Sequence, residues 1–210
     1  MIATQLYLVV SGNYAWLMSR RPSLPARDKA AIVARLKAAG YKVITLMPDA
    51  NGYPDIEALR AAVSPRTAAL MITNPEDTGI YNHKIREFVE IVHEVGGLAA
   101  YDQANANGIL GITRASDAGF DLCHFNLHKT FSTPHASGGP GAGASAVSER
   151  LAPFLPNPRI EKTDAGFTVN YGGEKSIGKV APFFGVAPNV VRAYAWIVAL
   201  GASGLRQVAE

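Results

Sequence analysis

The chain reads as an α/β fold built on a mostly parallel sheet with crossover helices. Amphipathic helical stretches and apolar strand-like stretches alternate from Asp28 to Val147, the order that βαβ units require. Glycines stand where each helix must stop, at Gly40 and at Gly96-Gly97. Two of the apolar strands run out onto chemically active residues, Asp102 and, a few residues past the strand, Lys129. Open α/β sheets place ligands at that carboxyl edge.

The elements follow in order. Residues 28–39 carry Ile32, Val33 and Leu36 on one face and predict an amphipathic helix ended by Gly40. Residues 42–47 predict a strand, 55–63 a helix and 67–73 a second strand. Residues 85–95 predict a helix that Gly96-Gly97 halts before the strand opening at Leu98 and closing on Asp102. Residues 121–126 are a further apolar strand, and 144–147 a short last one. Beyond it Pro153, Pro156 and Pro158 point to an extended wrap over the surface. Helical spacing returns over 190–200 and ends near Gly201. Three regions result: a leader and helix over 1–37, a ligand-binding α/β domain over 38–150, and the wrap and final helix over 151–210.

Lys129 is the residue to explain. Phe125, Leu127 and Phe131 surround it in sequence, a setting expected to desolvate it in part. Desolvation disfavours the ammonium form and leaves some neutral amine, the species that adds to an aldehyde. Asp102 holds the matching position at the end of another apolar strand. Pyridoxal phosphate needs both partners: an amine for its aldehyde, and a carboxylate that keeps its ring nitrogen protonated. A lone Asp at a strand end is otherwise a turn or cap residue.

Composition narrows the classes. With 210 residues, 48% of them hydrophobic, the chain can bury one substantial core. The net charge of +3 is spread along the chain with no basic stripe, so no nucleic-acid partner is expected. Cys123 is the single cysteine; it excludes an internal disulfide and a cysteine metal cluster, and no metal site is expected. Residues 1–18 carry no charge and precede Arg20-Arg21. Gln5, Ser11, Gly12 and Asn13 interrupt that run, so a buried strand or leader is expected there and no membrane anchor. A cytoplasmic location is expected. The absence of acids before Asp28, with Arg20, Arg21 and Arg27, leaves a mitochondrial transit segment as the alternative.

Asn126-Leu-His-Lys-Thr-Phe131, Pro134-His135, Gly138-Gly-Pro-Gly141 and Leu151-Ala-Pro-Phe-Leu-Pro156 together resemble the glycine cleavage system P-protein, glycine dehydrogenase (decarboxylating). Tyr101-Asp-Gln-Ala-Asn-Ala-Asn107, Met71-Ile-Thr-Asn-Pro75, Lys175-Ser-Ile-Gly-Lys179 and Val191-Arg-Ala-Tyr-Ala-Trp196 extend the likeness to that family's C-terminal half or β-subunit, over about residues 38–210. The resemblance implies the large domain of a fold-type I pyridoxal-phosphate enzyme. It implies glycine as substrate, a lipoyl carrier protein (H-protein) as acceptor of the aminomethyl group, and a second P-protein subunit or segment as partner.

Under this resemblance Lys129 is the catalytic lysine, and Lys129, Asp102, Asn74 and His128 are the cofactor-binding residues. The Asn74 amide either reaches the cofactor's phenolic oxygen or serves as a turn residue before Pro75. His128 either meets the phosphate or satisfies a backbone carbonyl, and it points away from Lys129 if the chain is still extended there. His124 reads as a core histidine, His83 and His93 as surface residues, and His135 as the start of a glycine loop. The chain departs from the family at Ala136-Ser137, where a glycine-only run is expected, and at Ala144-Ser145. Residues 1–37 do not resemble the family's phosphate-cradling part, so the chain reads as a fragment whose activity alone is in doubt. A non-catalytic remnant of the same fold, and an aminotransferase or desulfurase, are the alternatives.

Overall fold

The computed structural model describes residues 46–76, 79–138, 140–180 and 185–210, with residues 34, 38, 40, 42 and 44 singly. The leader, the helix expected over 28–39 except for residues 34 and 38, and residues 43 and 45 of the strand expected over 42–47 lie outside the described residues.

Asp55 starts the first described helix, α1 (Ile56–Ala62), by accepting hydrogen bonds at Oδ1 from the N–H groups of Glu57 (2.9 Å) and Ala58 (3.1 Å). Such an N-cap satisfies amides that the helix cannot. The sheet follows: β1 (Ala69–Thr73), helix α2 (Ile85–Glu94), β2 (Leu98–Asp102), β3 (Leu122–Asn126) and β4 (Gly143–Val147), in spatial order β1-β2-β3-β4. The first three strands are parallel, and β4 returns antiparallel to β3. The expected α/β architecture is therefore observed, with boundaries a few residues tighter.

Helix α2 makes the core. It buries Ile85, Phe88, Val89, Ile91 and Val92 against Leu70, Ile72, Ala99 and Tyr101, the alternate residues of β1 and β2 that share one sheet face. Phe120 stacks on Tyr101 at 4.3 Å between ring centroids. The glycine pair after α2 is required twice over. Gly96 has φ +82°, and a Cβ at Gly97 would lie 2.8 Å from Val92 Cγ1.

His93 is half-buried, not on the open surface as expected. Its Nε2 lies 2.8 Å from Asp121 Oδ2, which also accepts the Ala99 N–H at 2.8 Å, and Arg150 Nε lies 3.4 Å from Oδ1. This buried carboxylate ties α2, β2 and the segment after β4 together at the amino edge of the sheet. Cys123 is buried, as expected, and burial pushes its thiol pKa up.

The extended wrap expected from residue 151 onward gives way to regular structure in two places. A 3-10 helix runs over Glu149–Phe154 and contains Pro153, and an antiparallel hairpin of β5 (Arg159–Thr163) and β6 (Gly166–Asn170) begins directly after Pro158. Proline costs most inside an α-helix or a central strand; a short turn and the residue before a strand accommodate it. The last helical span, α4 (Ala187–Ala209), breaks at Gly201 (φ +61°, ψ −173°), where the helix was expected to end, and a second short helix follows directly. Among the described residues no helix is long and apolar enough to cross a membrane.

Candidate active site

The parallel register sets three strand ends side by side: Thr73 pairs with Asp102, and Asp102 with His124. Three further hydrogen bonds bind the segment after β2 to the segment that carries Lys129. The Gln103 N–H donates to the His124 carbonyl (2.9 Å), the Asn126 N–H to the Ala104 carbonyl (3.2 Å), and the Ala106 N–H to Thr130 Oγ1 (2.8 Å). Thr130 is buried, and it fixes the turn that holds the lysine. Its role was not legible in the sequence, where a threonine after a lysine carries no signal of its own.

Asp102 is half-buried, and its Oδ1 accepts the Ala104 N–H at 2.9 Å. This Asx turn is the structural reading of such a residue, and it also aims the carboxylate. Oδ2 makes no hydrogen bond among the described residues.

Lys129 lies in a single helical turn, α3 (Leu127–Thr130). Leu127 and Thr130 face inward and Lys129 is exposed, so the partial desolvation expected from Phe125, Leu127 and Phe131 is not observed. The reason is the turn itself: two helical residues are separated by about 200° around the axis, so burying Leu127 turns Lys129 outward. The same turn removes the condition under which His128 would point directly away from Lys129.

Asn74 is 1% exposed and turned inward. Its Oδ1 accepts the Asn82 N–H at 2.8 Å, its Nδ2 donates to the Asn82 carbonyl at 3.3 Å, and its carbonyl accepts the Tyr101 hydroxyl at 2.6 Å. Burial, with the neighbouring Tyr81 adding to it, raises the Tyr101 pKa and keeps that hydroxyl a donor.

His128 is half-buried beside three polar neighbours. Asn126 Nδ2 is 3.0 Å from its Nε2, the Ala142 N–H donates to its Nδ1 at 3.4 Å, and the His135 ring is 4.4 Å away. Burial lowers the His128 pKa, and His135 adds to the effect. On its other side the Asn126 carboxamide contacts His124 Nε2. The expected core histidine is thus half-buried and hydrogen-bonded. Its ring lies across β4, where a Cβ on Gly143 would come within 2.6 Å of His124 Cε1.

The glycine loop is held by a residue that sequence reasoning passed over. Asn189, 2% exposed at the start of α4, donates through Nδ2 to the carbonyls of Pro134 (3.2 Å) and Pro140. The loop's non-glycine members Ala136 and Ser137 adopt φ +42° and +60°. These are the two positions where glycine was expected, and their backbone takes the conformation glycine favours.

A groove of about 400 Å3 lies elsewhere, lined by Ile109, Phe120, Cys123 and Phe125, and includes none of Lys129, Asp102, Asn74 and His128. The crevice at the strand ends is therefore an open edge carrying an exposed amine and a fixed carboxylate. That pair suits an aldehyde-bearing, nitrogen-containing ring.

Solved structures share this fold. The cysteine desulfurase CsdA of Escherichia coli superposes with a TM-score of 0.57 at 19% identity, over 85% of this chain and 44% of that one. A cysteine desulfurase of Thermococcus onnurineus gives 0.56 at 17%, with the same coverage. Relatives at higher identity are named "Probable glycine dehydrogenase (decarboxylating) subunit 2". One from Pyrococcus horikoshii is 49% identical over 179 residues and one from Bacillus cytotoxicus 47% over 177, each match taking in 84% of this chain and 36% of the relative. The chain thus spans about a third of the length of these relatives. The family model for aminotransferase class-V matches residues 27–158, well over half of the sequence, and the chain belongs to that family.

Proposed function

We propose that this chain carries the lysine and the carboxylate of a pyridoxal-phosphate site for glycine decarboxylation, in the manner of the glycine cleavage system. The observation that supports this most directly is the union of the Asp102 and Lys129 segments through the Ala106–Thr130 hydrogen bond. The bound cofactor would supply the electron sink for the pair left when glycine loses carbon dioxide. Lys129 would offer its Nζ amine to the aldehyde and regain a proton there when glycine takes its place. Asp102, with Oδ1 anchored and Oδ2 uncommitted, would hold a proton on the ring nitrogen by staying ionised. His128 would present an uncharged ring. Asn74, turned inward and bound to Asn82 through both amide atoms, would brace the end of β1 and would not meet the cofactor, the turn reading of the two expected for it.

The exposure of Lys129 supports a shared site. Relatives bearing the name "subunit 2" suggest a companion subunit that would cover the lysine, with a lipoyl carrier protein as acceptor of the aminomethyl group. Phosphate and substrate carboxylate would then be held by groups outside the residues assigned here.

The test mixes the chain with pyridoxal phosphate, reduces with borohydride and maps the label. Reduction at Lys129 alone, abolished in Lys129→Ala, is the expected result. Label spread over many lysines, or a single defined adduct persisting in Lys129→Ala, would overturn the assignment.

A further inference from the structure

We propose that Asn126 is a positioning residue that fixes one neutral tautomer on each of two histidines, so that His128, next to Lys129 on the same turn, is held as an uncharged ring. The inference rests on the pyridoxal-phosphate reading for its purpose, though not for its geometry. A backbone N–H can only donate, so the Ala142 N–H makes His128 Nδ1 an acceptor. A neutral imidazole has one acceptor and one donor nitrogen, and His128 Nε2 must then carry the proton. Its neighbour 3.0 Å away is the Asn126 carboxamide. That group must meet an N–H with its oxygen, which a half-turn of the amide provides, since its oxygen and nitrogen are interchangeable in shape.

The same half-turn presents the Asn126 amine to His124 Nε2, the carboxamide's other contact. His124 Nε2 thereby becomes an acceptor, and the His124 proton sits on Nδ1. A directional chain results, from the Ala142 N–H through His128 and Asn126 to His124. Protonating His128 would oppose two N–H groups at Nδ1, and protonating His124 would do the same at Nε2. Of the other groups facing His128, the His135 ring, the Lys129 amine on the same turn and His124 beyond Asn126 are all basic and each lowers its proton affinity; the Ala142 backbone counts the other way and is outweighed by burial and these charges. No carboxylate contacts His128 among the described residues.

Gly143 belongs to the same device. The His124 ring occupies the space where any larger residue's Cβ would stand, so β4 closes one side of the chain while its preceding residue, Ala142, sets its direction.

The test is a long-range 1H–15N spectrum of the histidine-labelled 210-residue chain at neutral pH, without cofactor. Expected are a proton on Nε2 of His128 and on Nδ1 of His124. A His128 protonated at Nδ1 would overturn the proposal with no variant needed. Asn126→Asp offers only acceptors, so both histidines should turn an N–H toward it, and His128 should gain at least tenfold in proton affinity. Unchanged tautomers and titration in a folded Asn126→Asp chain would equally overturn it. Borohydride labelling of Lys129 in a parallel sample mixed with pyridoxal phosphate reports on the cofactor reading separately, so the two can fail independently.

Discussion

The sheet half of the molecule, residues 46–147, and the hairpin and helix that follow it, 159–209, handle their apolar side chains in opposite ways. Nearly every buried hydrophobic residue of the described chain lies in the first half, from Leu46 to Leu127; in the second only Ala193 joins them. The second half instead presents Phe167, Tyr171, Val191, Tyr194 and Val198 to solvent. The last three are spaced i, i+3, i+7, one stripe along α4. An apolar stripe of that kind is normally covered. The sheet half is therefore the unit that supports its own fold, and the second half is attached to it through few anchors, Asn189 and the Phe131–Trp196 ring contact (6.1 Å) among them.

The largest expected effect would break the sheet half. Phe88 is 1% exposed at the centre of the core, and Phe88→Ala should cost about 3–5 kcal/mol. Phe167→Ala, at a site 78% exposed, should stay within about 0.5 kcal/mol. Urea midpoints measure both, and equal losses would show that the two halves fold on the same footing. A smaller effect tests the junction. Asn189→Ala removes a buried donor from two proline carbonyls, which should cost about 1–3 kcal/mol and raise amide exchange in residues 135–142 before it does so in β1–β3. Uniform exchange across the chain would place Asn189 outside the loop's support. The smallest effect has the opposite sign. Ala136→Gly with Ser137→Gly should stabilise the chain by about 0.5–1 kcal/mol, because left-handed backbone disfavours a Cβ by more than glycine loses in freedom. A drop in thermal midpoint would contradict those backbone angles.

The contrast between halves also explains what the sequence could reveal. Periodicity reports burial, so α1, α2 and the strands with α2 packed on them were legible from apolar spacing and glycine stops. The hairpin was not. Its strand residues are mostly exposed and follow three prolines, so local composition argued against structure that cross-strand pairing then supplied. In the site, Lys129 and Asp102 were legible because their chemistry is distinctive and both follow apolar strands. Thr130, Asn126 and Asn189 were missed because each acts through a partner remote in sequence or through the shape of a turn, which a side chain's identity does not disclose. The exposure of Lys129 was missed for the second reason, since one helical turn after β3 decides which neighbour faces in. Asp121 was hidden likewise: an acid between a phenylalanine and a leucine reveals nothing of the His93 and Ala99 groups that receive it.

Gly143 sits on an exposed edge strand, where a designer seeking stability would ordinarily install a β-branched residue. At this position such a change would trade strand propensity against the placement of an imidazole on the neighbouring strand, because a Cβ would stand only 2.6 Å from His124 Cε1. Any transplant of the lysine turn into another sheet therefore has to carry a bare backbone position as well as the reactive groups: the side chain that Gly143 lacks makes the room that the His124 ring fills.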